Sequence, residues 1–165
     1  MSKKGMLILG LGNELIGDDG VGVHAVRKLQ TLGLGQNVII LDIGTAILDA
    51  LPYLYEAEQL IIIDAMKVGG IPGTIYKTHL QECISNGCIA SMHGFDISRV
   101  MALAGRSRSL SGLVFGIEPE LLNWSMSLSS PVADALPYLV GEVVVEVRAS
   151  SSTNNRPSHL ATERG

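Results

Sequence analysis

The stretch Met6-Leu7-Ile8-Leu9-Gly10-Leu11-Gly12-Asn13-Glu14-Leu15-Ile16-Gly17-Asp18-Asp19-Gly20-Val21-Gly22 decides the fold. Its apolar opening reads as a buried strand, its glycines as a tight turn, and the segment from Val21 as a helix returning along the strand. In nucleotide-binding folds such a turn aims backbone N–H groups and the positive helix end at a phosphate. Here Asp18 and Asp19 crowd that place, where carboxylates repel an anion and attract a metal cation. The dinucleotide fingerprint also fails on spacing, because its third glycine would fall at Leu15, a bulky residue.

Outward from this stretch, apolar runs alternate with segments of helical period, the pattern of an α/β fold. Strands are expected at 6–9, 38–41, 60–63, 74–77 and 113–116, and helices at 21–32, 47–55, 81–86, 95–104 and 131–147. Gly33 and Gly105 fall where helices commonly end. The expectation is a single α/β domain over 1–148, a twisted, mostly parallel five-stranded sheet with helices on both faces. Residues 149–165 are polar and low in complexity and read as a disordered tail.

Composition narrows the function. The chain has 165 residues, 47% of them hydrophobic, yet its longest run, Leu60-Ile61-Ile62-Ile63, is cut by Asp64, far short of the roughly 20 residues a membrane helix needs. The basic start, Met1-Ser2-Lys3-Lys4-Gly5, lacks the hydrophobic region of a signal peptide, so a cytoplasmic protein without a membrane partner is expected. A net charge of −4 with scattered Lys and Arg argues against nucleic acid. Cys83 and Cys88 fit no zinc or redox motif and read as ordinary thiols. No Gly-x-Ser-x-Gly elbow is present, and neither cysteine has an activating motif, so covalent catalysis has no nucleophile.

Four carboxylates fall at or just past the carboxyl ends of expected strands: Asp18 and Asp19 after the first, Asp42 at the second, Asp64 at the third. Any one alone reads as a helix cap or a loop acceptor. Together on the edge that holds the ligand crevice of open parallel sheets, they repel one another unless a cation or shared protons offset the charge. If the loop bearing His93 lies over the same edge, Asp19, Asp64 and His93 form a mixed oxygen and nitrogen set suited to nickel or zinc, with a coordination position left open. His24, on the first helix, is expected to face solvent.

The run from Gly10 to Gly22, with Leu41-Asp42-Ile43-Gly44-Thr45, Ile63-Asp64-Ala65, Pro72-Gly73, His93 and Gly116-Ile117-Glu118-Pro119, resembles the hydrogenase maturation endopeptidases. These motifs occur in the family's order and cover most of the chain up to about Pro119. The resemblance implies an aspartyl-type endopeptidase that removes the C-terminal extension of a nickel-iron hydrogenase large-subunit precursor after nickel insertion. It implies Asp19, Asp64 and His93 as metal contacts, with Asp19 standing where many members have glutamate. It also implies no permanent cofactor: nickel arrives with the substrate as a recognition element, and zinc or another divalent ion can substitute in the site. Two schemes follow, one in which Asp18 or Asp42 activates water, the other in which the metal polarises the scissile carbonyl. The expected partner is the precursor, and the expected state a monomer. The competing readings are a metal carrier without protease activity and, third, an enzyme like peptidyl-tRNA hydrolase, whose opening strand and Gly-Leu-Gly-Asn are similar. That enzyme calls for a His-Asn pair and a basic surface, neither of which this chain supplies.

Overall fold

The computed structural model describes residues 4–86, 97–105 and 110–153. Five strands, β1 (Lys4–Leu11), β2 (Val38–Gly44), β3 (Ala57–Ala65), β4 (Ile75–His79) and β5 (Ser111–Ile117), form one sheet in the order β2-β1-β3-β5-β4. β1 runs parallel to β2 and β3, and β3 parallel to β5, while β4 pairs antiparallel at the edge. The helices are α1 (Val21–Gln30), α2 (Leu51–Glu56), α3 (Leu80–Asn86), α4 (Ile97–Leu103) and α5 (Ser130–Thr153).

Both faces of the sheet are covered, and the alternation of side chains along the central strands shows how. Leu7, Leu9, Leu60 and Ile62 belong to a core shared with α2, α3 and α4, whereas Met6, Ile8, Ile61 and Ile63 pack against α1 and α5. A strand buried on both sides needs apolar residues at odd and even positions alike, hence the unbroken runs that the sequence shows. α1 buries Val21, Ala25, Val26 and Leu29, one stripe of a helix. Its approach to the sheet depends on Gly22, where an added Cβ would collide with the carbonyl oxygens of Leu11 and Ile63.

Every expected strand is present, and the sheet is parallel except at β4. The expected helix at 47–55 divides into a 3-10 turn, Ile47–Ala50, followed by α2. The domain limit at 148 is corrected, because α5 continues through Thr153. Ser151 and Ser152 turn their hydroxyls back to the carbonyls of Val147 and Arg148, so polar composition here is accommodated within the helix rather than ending it. Residues 154–165 lie outside the described residues. Cys83 is buried and disulfide-bonded rather than a free thiol. An expectation drawn from compartment speaks to redox environment and not to proximity. No helix among the described residues is long and apolar enough to cross a membrane.

Candidate metal-reading site at the carboxyl edge of the sheet

β1, β3 and β5 end at the same edge, and the loops that leave them carry the acidic residues. After β1 the chain turns at Gly12, whose φ of +118° and close approach to the Asp19 carbonyl exclude a side chain. Asn13 then makes a local turn, its side-chain oxygen accepting the Leu15 N–H at 3.0 Å. A 3-10 turn over Gly17–Gly20 brings Asp18 and Asp19 under the loops, both buried.

Asp19 and Asp64 form the centre. Each is only 6% exposed, and the position a Gly12 Cβ would take is 3.5 Å from Asp64 Oδ1 and hard against the Asp19 backbone. Asn13 donates its N–H to Asp19 Oδ2 at 2.9 Å, and Ala65 donates to Asp64 Oδ1 at 2.8 Å. Burial, and after it the neighbouring charge of Asp19, pushes the Asp64 carboxyl up to about 8 against the opposing Ala65 hydrogen bond. A divalent cation beside the pair would offset both the burial and the neighbouring charge that act on Asp64. The donor set therefore fits a hard or borderline metal ion held by oxygen. His93, expected as the third contact, lies outside the described residues. Among those described, no three His, Cys, Asp or Glu side chains gather closely enough to hold a metal.

The two carboxylates expected to activate water are placed differently. Asp18 is fully buried. Glu120 and Leu121 donate their N–H groups to its Oδ2 at 2.9 and 2.8 Å, and Ser129 donates its N–H to Oδ1 at 2.7 Å and its hydroxyl to Oδ2 at 2.8 Å. Four donors converge on this carboxylate, which thereby holds the β5–α5 loop in place. Asp42 stays accessible. Arg27 donates from Nε to its Oδ2 at 2.9 Å and also reaches Glu14. Asp42 pairs with Gly10 of β1, which on its other side pairs with Ile63. Asp42 thus stands about two strand spacings, roughly 10 Å, from the β3 end that carries Asp64.

A fourth buried carboxylate among the described residues, Glu118, escaped the sequence reading as a functional residue, although its segment was noted. It accepts the N–H groups of Val68 and Gly69 at 3.0 and 3.1 Å and the Tyr76 hydroxyl at 2.9 Å. Burial pushes this carboxyl up, but the hydrogen bonds from Val68, Tyr76, Gly70 and Gly69 outweigh it and hold it below its ordinary value. Asp18 and Glu118 are thus two staples, one for the loop after β5 and one for the loop after β3. Neither staple has a local sequence signature, since the donors lie 42 to 50 residues from Glu118 and more than a hundred from Asp18. His24, expected to face solvent, is half-buried, and its Nε2 has no hydrogen-bond partner among the described residues; burial and then Arg27 lower its pKa.

The family model described as hydrogenase maturation protease matches residues 23–146, more than half of the chain. The hydrogenase expression/formation protein HupD of Rhodobacter capsulatus is 37% identical over 151 residues, covering 87% of this chain and 71% of its own. Among solved structures, the hydrogenase maturating endopeptidase HybD from E. coli superposes with a TM-score of 0.78 at 27% identity, over 88% of this chain and 93% of that one. The [NiFe] hydrogenase maturation protease HybD from Thermococcus kodakarensis gives 0.72 at 31% identity, over 86% and 98%. A sheet with its acidic edge stapled in place, a family match across the body of the domain and these two structural likenesses agree: the chain belongs to the hydrogenase maturation protease family.

Proposed function

We propose that this protein removes the C-terminal extension of a nickel-iron hydrogenase large-subunit precursor once nickel has been inserted. The observation that carries the reading is the buried pair Asp19 and Asp64 at one edge of the sheet, with burial and the neighbouring Asp19 raising the Asp64 carboxyl to about 8. Nickel borne by the precursor offsets the charge of that pair, so only a metal-loaded substrate seats well, and His93 supplies the third contact. Held by these residues, the metal would polarise the scissile carbonyl and fix its position. Asp42, oriented by Arg27 and accessible from the same edge, activates the attacking water for a peptide lying across β1. The protein needs no cofactor of its own and works as a monomer in the cytoplasm.

The test is to incubate the protein with the precursor, nickel-loaded or nickel-free, and follow loss of the C-terminal peptide by mass spectrometry. Cleavage of the loaded form alone is expected. Asp64→Asn should abolish it, and Asp42→Asn should slow it by about 100-fold or more, the usual contribution of a general base. Equal cleavage of both forms overturns nickel recognition. Tight metal binding by the isolated protein with no cleavage of either form turns the reading to a metal carrier.

A further inference from the structure

Two loop segments meet beside Asp19. Gly17 donates its N–H to the Ser125 carbonyl at 2.7 Å, Ser125 donates to the Leu15 carbonyl at 3.0 Å, and Asp18 donates to the Leu121 carbonyl at 3.0 Å. The Asp18 carboxylate pins the same loop at Glu120, Leu121 and Ser129. On the outside of this knitted platform stand Leu15, Leu121, Trp124 and Met126, exposed by 43, 47, 80 and 68%. Scattered apolar residues on a surface call for no explanation, but four on two mutually bonded segments next to a reaction centre make a patch.

We propose that Trp124, flanked by Leu121 and Met126, is the anchor on which the hydrogenase large-subunit precursor docks, a claim that rests on the function proposed above. The side chain type fits, because tryptophan dominates binding hot spots by covering a large area with few rotatable bonds. The backbone beneath it is fixed in advance by the Asp18 staple, which lowers the ordering cost of association. The patch is also continuous with the site: Trp124 adjoins Ser125, which is bonded to the turn that ends in Asp19. A precursor that reaches Asp19 approaches the edge this loop borders, which favours the precursor as occupant.

Trp124 is the single tryptophan of the chain, so 5-fluorotryptophan labels it alone. The first measurement is precursor affinity for the wild type, Trp124→Ala and Val145→Ala, the last an exposed apolar control on α5. Steady-state cleavage is measured on the same three proteins. Trp124→Ala should weaken binding and raise KM by about 30-fold, the hot-spot threshold, with kcat at saturation, metal affinity and Tm unchanged. Val145→Ala should behave as wild type, and the fluorine resonance of the labelled protein should shift when precursor is added. Unchanged affinity of Trp124→Ala, a silent fluorine resonance, or a Trp124-dependent dimer in sedimentation overturns the proposal. A wild type that binds precursor through Trp124 but does not cut it overturns the function and leaves the docking surface standing.

Discussion

Replacing Asp18 by Asn exchanges one buried carboxylate oxygen for an NH2 group where four donors converge. The least costly arrangement keeps the amide oxygen at the Oδ2 position, where Glu120, Leu121 and the Ser129 hydroxyl point, and turns the nitrogen toward the Ser129 N–H. One buried N–H then loses its acceptor, at about 1–3 kcal/mol, and the three surviving bonds fall from charge-assisted to neutral strength, about 0.5–1 kcal/mol each. The neutral side chain is cheaper to bury than the carboxylate, which offsets part of this, so a net loss of about 2–4 kcal/mol is expected. In a domain of this size that lowers Tm by roughly 5–15 °C, against about 2–4 °C for Ser129→Ala, which removes one hydroxyl donor and leaves the backbone bond. Thermal unfolding followed by circular dichroism at neutral pH reads both shifts. At a temperature where Asp18→Asn is folded, cleavage should fall by less than about tenfold, below the effect of losing a general base. A variant with wild-type Tm and cleavage reduced by a hundredfold or more would refute the staple and restore Asp18 to the chemistry.

Glu118 predicts a pH effect. Its carboxyl is held below the ordinary value of 4.5 by hydrogen bonds that outweigh burial, so the stabilisation is complete above that value and is lost as pH falls through the lowered folded-state pKa. Wild type should therefore lose urea resistance more steeply than Glu118→Gln between about pH 5 and pH 3; parallel pH dependences would show that the staple carries no such stabilisation. At Gly22, an added methyl meets the carbonyls of Leu11 and Ile63. Gly22→Ala should cost about 1–3 kcal/mol in chemical denaturation and weaken metal binding at Asp19, because α1 must lift from the sheet. Unchanged stability would show that the helix moves without strain.

How much of this was legible beforehand varies with the kind of contact. The strands were readable because a sheet covered on both faces requires unbroken Val, Ile and Leu runs, and Leu60-Ile61-Ile62-Ile63 has no other economical use in a chain with turns on either side. Asp19 and Asp64 were readable as partners because parallel strands end at a common edge, and the structure brings them together at one. Asp42 was readable as an edge residue, but its engagement with Arg27 was not, since Arg27 lies on the exposed side of α1, where a cation has many unremarkable explanations.

The sequence by itself determined the α/β class, the strand order along the chain, the acidic edge and the family resemblance, because period, glycine spacing and motif order are local properties that survive without coordinates. Only the tertiary structure decided which groups each carboxylate meets. Asp18 and Asp19 are adjacent and chemically identical, yet one is filled by donors from residues 120–129 and the other stands beside Asp64. That difference is made by loops arriving from more than a hundred residues away. A buried carboxylate's role is set by which donors and charges reach it, and those are fixed only when the loop after β5 folds back over the first turn.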